Sequence, residues 1–261
     1  MTDIPTFERI DQNLIDRLRE IGAATIAGAL AKQGIRNPHM VGLTTFSPGA
    51  SVAGQAVTLQ FMPKREDVHW GDEYAASPER ELHRKAIIAC QPGDVVVVDA
   101  RGSLSSGVFG EMMLTSFKAR GGEGVVIDGC IRDFPEARQI GLGLWLRGVT
   151  PNFHTQTDIF PHAVNVPIAC AGVFVVPGDV IVADDDGAVV VPVALAGDIA
   201  QQATEKAAWE VFSRMKLEAG EPLEKYYPLN AEAQAEYEAW LREQSAPTPK
   251  PPPPQGGRGQ M

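Results

Sequence analysis

Gly93–Glu136 reads GDVVVVDARGSLSSGVFGEMMLTSFKARGGEGVVIDGCIRDFPE. Four consecutive valines at 95–98 suit a strand buried on both faces. A loop with Gly102, Gly107 and Gly110 follows, then a helix-like run, then a second apolar run that ends at Arg132-Asp133. This pattern predicts strand 94–100, helix 110–120 and strand 124–129, a βαβ unit with a right-handed crossover. If the two strands are neighbours, their carboxyl ends lie roughly 5 Å apart. The loop after the first strand and the residues after the second then share one rim, where open α/β sheets bind ligands. Glu111, at the start of the helix, and the Arg132-Asp133 pair meet there.

The loop lacks the closing Gly-Lys-Ser/Thr of a Walker motif and the GxGxxG spacing of a dinucleotide site. What is left is a glycine-rich loop feeding a helix whose first N–H groups attract an anion. The amides of Met112 and Met113, after Gly110, fall in that first turn, and Arg132 can grip a carboxylate bidentately. Each residue also has an ordinary reading. Arg-Asp after a strand is often a surface ion pair of small worth, and Glu111 is a favourable first-turn residue. Their convergence on one rim makes the functional reading the stronger.

Outward from this unit, Leu14, Leu18 and Ile21 form one helical stripe and Ile26 and Leu30 a second, with Gly22 and Thr25 able to divide residues 12–33 into two helices. Residues 52–62 read as a strand ended by Pro63, and 64–82 as polar and irregular at first. Ser77-Pro78 starts a helix that closes at Pro92-Gly93. A short helix at 134–139 and a strand at 144–149 follow. From 164 to 192, short β-rich runs broken by Pro-Gly-Asp and Asp-Asp-Gly predict antiparallel hairpins. Asp184, Asp185 and Asp186 before Gly187 read as turn chemistry rather than a calcium loop, since no EF-hand spacing follows. Helices are expected at 195–219 and about 229–243, before a Pro/Gly-rich tail at 245–261 expected to be disordered. His154 and His162 are candidate acid/base or ligand residues, but form no HxxxH pair. The whole reads as one α/β domain with a helical C-terminal extension.

With 261 residues, 44% hydrophobic and 21% charged, the chain can fill a sizeable core under a polar surface. A net charge of −10 argues against a general nucleic-acid binder. An anionic substrate then needs a local cation, an arginine or a metal. Cys90, Cys130 and Cys170 form no CxxC or Cys/His cluster and read as buried neutral thiols in a reducing cytosol. The N-terminus lacks the features of a secretory signal, and no apolar run approaches the ~18 residues of a membrane span. A cytoplasmic protein with no membrane partner is expected.

The stretch GEMMLTSFKARGGEGVVIDGCIRD resembles the signature of the RraA-like superfamily, which includes the class II 4-hydroxy-4-methyl-2-oxoglutarate/4-carboxy-4-hydroxy-2-oxoadipate aldolases. Those enzymes carry Asp, twenty residues, then Arg-Asp; this chain has Glu111, twenty residues, then Arg132-Asp133. The likeness extends over about residues 12–221. It implies a single RraA-like domain of the swivelling β/β/α, phosphohistidine-domain-like type over 1–221, including helix 195–219, with a helical extension at 222–244.

The resemblance also implies a metal-dependent lyase, an aldolase and oxaloacetate decarboxylase, that passes through a pyruvate enolate. Asp133 would bind the divalent metal, Mg2+ or Mn2+. Glu111 would hold metal-bound water. Arg132, Gly110, Met112 and Met113 would bind the pyruvyl group of a small anionic 2-oxo acid. Glu210, from a neighbouring subunit of a homotrimer or homohexamer, would reach the metal through water. The family's other branch implies an alternative, a non-catalytic protein-binding regulator of a ribonuclease. Three departures bear on the substrate: Glu for Asp at 111, an unusual 151–164 segment, and a longer 64–81 segment.

Overall fold

The structure is a computed structural model and describes residues 4–154 and 157–245. In chain order its strands are β1 (Thr44–Thr45), β2 (Val52–Pro63), β3 (Val95–Asp99), β4 (Gly124–Ile131), β5 (Gly143–Val149), β6 (Ile159–Val164), β7 (Ile168–Cys170), β8 (Val173–Val175), β9 (Val180–Asp184) and β10 (Gly187–Val191). The helices are α1 (Gln12–Ile21), α2 (Ala23–Lys32), α3 (Gly71–Ala75), α4 (Leu82–Ala89), α5 (Glu111–Ala119), α6 (Phe134–Ala137), α7 (Ala196–Glu218), α8 (Leu223–Tyr226) and α9 (Ala231–Ser245). The described chain forms two compact units, one up to Thr204 and one from Glu205.

The first unit is a mixed α/β fold around a sheet ordered β1-β5-β4-β3-β2-β9-β10, with β6 also paired to β2. β2 to β5 run parallel, in register from Val95↔Gly124 to Val98↔Ile127 between β3 and β4. The predicted βαβ unit therefore forms with its strands as neighbours. β2 is the hub: its first residues pair with β9, its middle with β3, and its last with β6.

Alternation along the strands sends side chains to two faces. Val96, Val98, Val125, Ile127, Leu144 and Leu146 pack under α4 and α5, against Ala86, Leu114 and Phe117. Val95, Val97, Val126 and Trp145 face the β7–β8 hairpin, against Ile168, Cys170 and Val175. A third apolar group joins Leu18, Ile26 and Leu30 to β9, β10 and the start of α7.

Gly22, at φ 84, divides the N-terminal helices where the sequence suggested a break. The Asp184–Asp186 run forms the β9–β10 turn. Asp184 accepts a bond from the Ala23 amide and Asp185 accepts from Gly49, so two of its carboxylates are occupied in fastening loops. The sequence did not suggest α3, β6 or α8. β6 contains Pro161, whose missing N–H masks it as a strand, and it pairs only along the end of β2. All three cysteines are free and buried. Burial pushes the Cys90 and Cys170 thiols far up, keeping them neutral.

The second unit packs Phe212, Tyr226, Ala233 and Tyr237 together, with Lys216 and Lys225 paired to Glu236. Residues 246–261, most of the expected disordered tail, lie outside the described residues. Among the described residues no helix is long and apolar enough to cross a membrane.

Candidate active site

The loop after β3 lies along the end of β4 like a short added strand. The Val108 amide donates to Cys130 O at 3.0 Å, the Arg132 amide to Phe109 O at 2.9 Å, and the Gly107 amide to Asn152 O at 3.0 Å. Two glycines permit this approach. A Cβ at Gly107 would stand 2.7 Å from Asn152 O, and one at Gly110 would stand 2.6 Å from Asp133 Oδ2. They are needed for proximity rather than for an unusual φ.

Arg132 and Asp133 are thereby held beneath the start of α5. Asp133 takes the left-handed conformation, φ 56, uncommon for a residue with a side chain, and its carbonyl begins α6. Its Oδ2 accepts from Arg132 Nε at 3.0 Å and faces the Glu111 amide at 3.4 Å. Both contacts fall on Oδ2. The guanidinium of Arg132 stands 5.9 Å from the centroid of the Phe153 ring. The two charged side chains are 35% and 38% exposed, enough for a ligand to reach them.

This donor set fits a hard, hydrated cation. It offers one accessible carboxylate and no thiolate, and a Cβ at position 110 would intrude on that carboxylate. Mg2+ is commonly held by one or two carboxylates with water and substrate completing its shell. A cage made of protein ligands alone is not what the residues form. Among the described residues no group of three or more His, Cys, Asp or Glu side chains stands ready for a metal.

Arg132, Asp133, Gly110, Met112 and Met113 line a cavity of about 330 Å³. Its other walls come from Arg80 and Glu81, from His83 and Arg84 of α4, and from Phe153 and His154 after β5. His83 and His154 are both 6% exposed, with ring centroids 4.2 Å apart. His154 also meets the edge of Phe61. Burial, then the Arg84 charge, pushes His83 down to about 4, although the Arg80 carbonyl slightly favours its protonated ring. Burial, then neighbouring His83, pushes His154 down to about 3. His83 Nδ1 and His154 Nε2 have no hydrogen-bond partner among the described residues.

The structure treats the sequence-derived candidates unequally. Arg132, Asp133, Gly110 and Met112 converge as expected. The Met113 amide already donates to Gly110 O at 3.1 Å. The Glu111 carboxylate accepts from Thr115 Oγ1 at 2.9 Å, and Glu111 is not part of the cavity lining. Glu210 lies in the second unit, paired with Lys206 at 3.2 Å. His162 is exposed on β6. Arg80, His83 and Arg84 went unremarked in the sequence. The signal that might have found them is the long 64–81 segment leading into a helix that bears two arginines and a histidine.

Residues 23–190 match the family model described as RraA-like, Aldolase/RraA. The chain belongs to the RraA-like family. The crystal structure of Streptomyces coelicolor RraAS2, described as an unusual member of the RNase ES inhibitor RraA protein family, is 43% identical with a TM-score of 0.72. That match covers 80% of this chain and 100% of RraAS2. An uncharacterized protein from Pseudomonas syringae pv. tomato gives a TM-score of 0.73 at 26% identity, over 86% of this chain and 97% of its own. A Halalkalibacterium halodurans protein, provisionally named 4-hydroxy-4-methyl-2-oxoglutarate aldolase, is 38% identical over 124 residues, or 48% of this chain. The matched part spans 58% of that relative's length.

Proposed function

We propose that this RraA-like protein is a metal-dependent lyase that cleaves a C–C bond of a small 2-oxo acid, such as 4-hydroxy-4-methyl-2-oxoglutarate, and releases pyruvate. The observation behind this is the placement of Arg132 and Asp133 side by side under the first turn of α5, in the wall of a cavity sized for a small ligand. The aldolase name of the Halalkalibacterium relative supports it.

In this reading the Arg132 guanidinium and the first-turn amide of Met112 hold the carboxylate and 2-oxo group of the substrate. The C4 hydroxyl loses its proton and the C3–C4 bond breaks. C4 becomes the carbonyl of the second product, and the electron pair becomes a pyruvate enolate that takes a proton at C3. Arg132 stabilises the negative charge as it develops. Asp133 would hold Mg2+ or Mn2+, which when bound supplies Lewis-acid stabilisation of the 2-oxo oxygen. Glu111 would join by leaving Thr115, and Glu210 from a neighbouring subunit in a cytoplasmic homotrimer or homohexamer. Oxaloacetate reaches the same enolate by losing CO2, so decarboxylation is a companion activity.

The likeness to RraAS2 favours a second reading, a protein-binding regulator of a ribonuclease. Pyruvate release from both substrates, measured with Mg2+ or Mn2+ and then with EDTA, separates the two. The lyase reading expects turnover that EDTA abolishes and that Asp133→Ala reduces to background. Turnover indifferent to EDTA sinks the metal mechanism, and no turnover together with tight ribonuclease binding favours the regulator.

A further inference from the structure

The cavity wall made by Arg80, His83, Arg84 and His154 has no part in the chemistry assigned to Arg132 and Asp133. We infer that this wall is a second anion subsite, which receives the far carboxylate of a dicarboxylic 2-oxo acid whose keto-acid end lies at Arg132. This rests on the reading that Arg132 takes the keto-acid end.

Three observations converge on it. First, two imidazoles that are more than nine-tenths buried line the cavity, each with a ring nitrogen that lacks a partner among the described residues. Buried polar atoms are nearly always hydrogen-bonded, so two orphans in one wall point to a ligand that completes them. Second, two guanidinium groups stand at the same wall against one carboxylate. Arg80 donates to Ala75 O at 3.0 Å and Arg84 pairs with Glu81 at 3.0 Å. The Arg84 side chain is 64% exposed and Glu81 42%, so an entering anion competes only with a weak surface pair. Third, both rings are neutral at pH 7 and so can each donate one N–H to a carboxylate without carrying a charge of their own. A monocarboxylic 2-oxo acid held at Arg132 would leave both orphans unsatisfied.

The histidines are unsuited to be the general base of the reaction. A ring that protonates only near pH 3 to 4 has little affinity for a proton at neutral pH. They are specificity-determining residues.

Calorimetry on the full chain with Mg2+ tests this with 2-oxoglutarate and 2-oxopentanoate, which share a carbon skeleton and differ only in the terminal carboxylate. The wild type is expected to bind the diacid roughly tenfold or more tightly than the monoacid. Arg84→Gln and the double variant Arg80→Gln/Arg84→Gln should lose most of that preference while holding monoacid affinity within about twofold. His154→Asn should do the same; the exposed Arg84→Gln decides the matter if that buried change prevents folding. Equal affinities in the wild type, or a diacid preference unchanged in the arginine variants, overturns the subsite. Pyruvate release is read separately. A diacid preference without pyruvate release removes the lyase reading and keeps the subsite; pyruvate release without the preference does the reverse.

Discussion

The two faces of one sheet bury polar groups in opposite ways. On the face covered by β7 and β8, Asp128 is ion-paired with Arg147 and accepts from the Ala171 amide at 3.1 Å, and Asp99 accepts from the Arg101 amide at 3.0 Å. On the face covered by α4 and α5, His83 and His154 stack against each other and each leaves a ring nitrogen bare. An unmade buried hydrogen bond costs a fold about 1–3 kcal/mol, whereas a partnered group stabilises it modestly. The first face uses its polar groups to hold the fold. The second keeps its polar groups unsatisfied, and the cost makes sense where a ligand completes them.

The largest effect expected from this contrast is in stability against pH. His83 and His154 titrate near 6.5 when unfolded but only near 4 and 3 when folded. Between those limits the unfolded chain binds more protons, so stability is full above pH 6.5 and falls as pH drops toward 4. The loss is of order 3–5 kcal/mol, read by denaturant unfolding at stepped pH. The raised pKa values of Asp99 and Asp179 act in the opposite sense, only toward the acid end of that window. A flat profile from pH 7 to 4.5 would mean that the rings are partnered after all.

Next in size, one arginine from each face should fail differently. Arg132→Met should slow pyruvate release by about 3 kcal/mol in the barrier with little change in melting temperature, because its pair with Asp133 is partly exposed. Arg147→Met should cost about 2–3 kcal/mol of stability, somewhat below the cost of breaking a fully buried pair, and leave turnover of the folded enzyme intact. If the two variants swapped phenotypes, the division of labour between the faces would be wrong. The smallest effect is His154→Leu, expected to change stability at pH 7 by less than about 1 kcal/mol because it removes a group that bonds to nothing. A larger loss would reveal a partner for that nitrogen.

Local pattern made much of the fold legible. Four valines, a glycine loop and a helix between two apolar runs specify a βαβ unit because each feature is set by near neighbours. The break at Gly22 and the Asp-Asp-Gly turn were readable for the same reason. β6 was hidden by Pro161, and α8 by its brevity. Within the site, Arg132 and Asp133 were legible because a strand end and a helix start must share a rim. The preoccupation of Glu111 with Thr115 and of the Met113 amide with Gly110 was not, since side-chain bonding depends on rotamers that spacing does not set.

The sequence by itself determined one wall of the site, the Arg132-Asp133 pair under α5, through the geometry of two adjacent parallel strands. Only the tertiary structure decided the opposite wall. His83 lies on α4 and His154 after β5, far apart in the chain, and no local periodicity relates them. They meet because both pack over the same face of the sheet, with Phe61 of β2 against His154. Long-range packing of this kind depends on how whole elements stack, and it is this packing that closes a glycine-rich rim into a cavity with two polar ends.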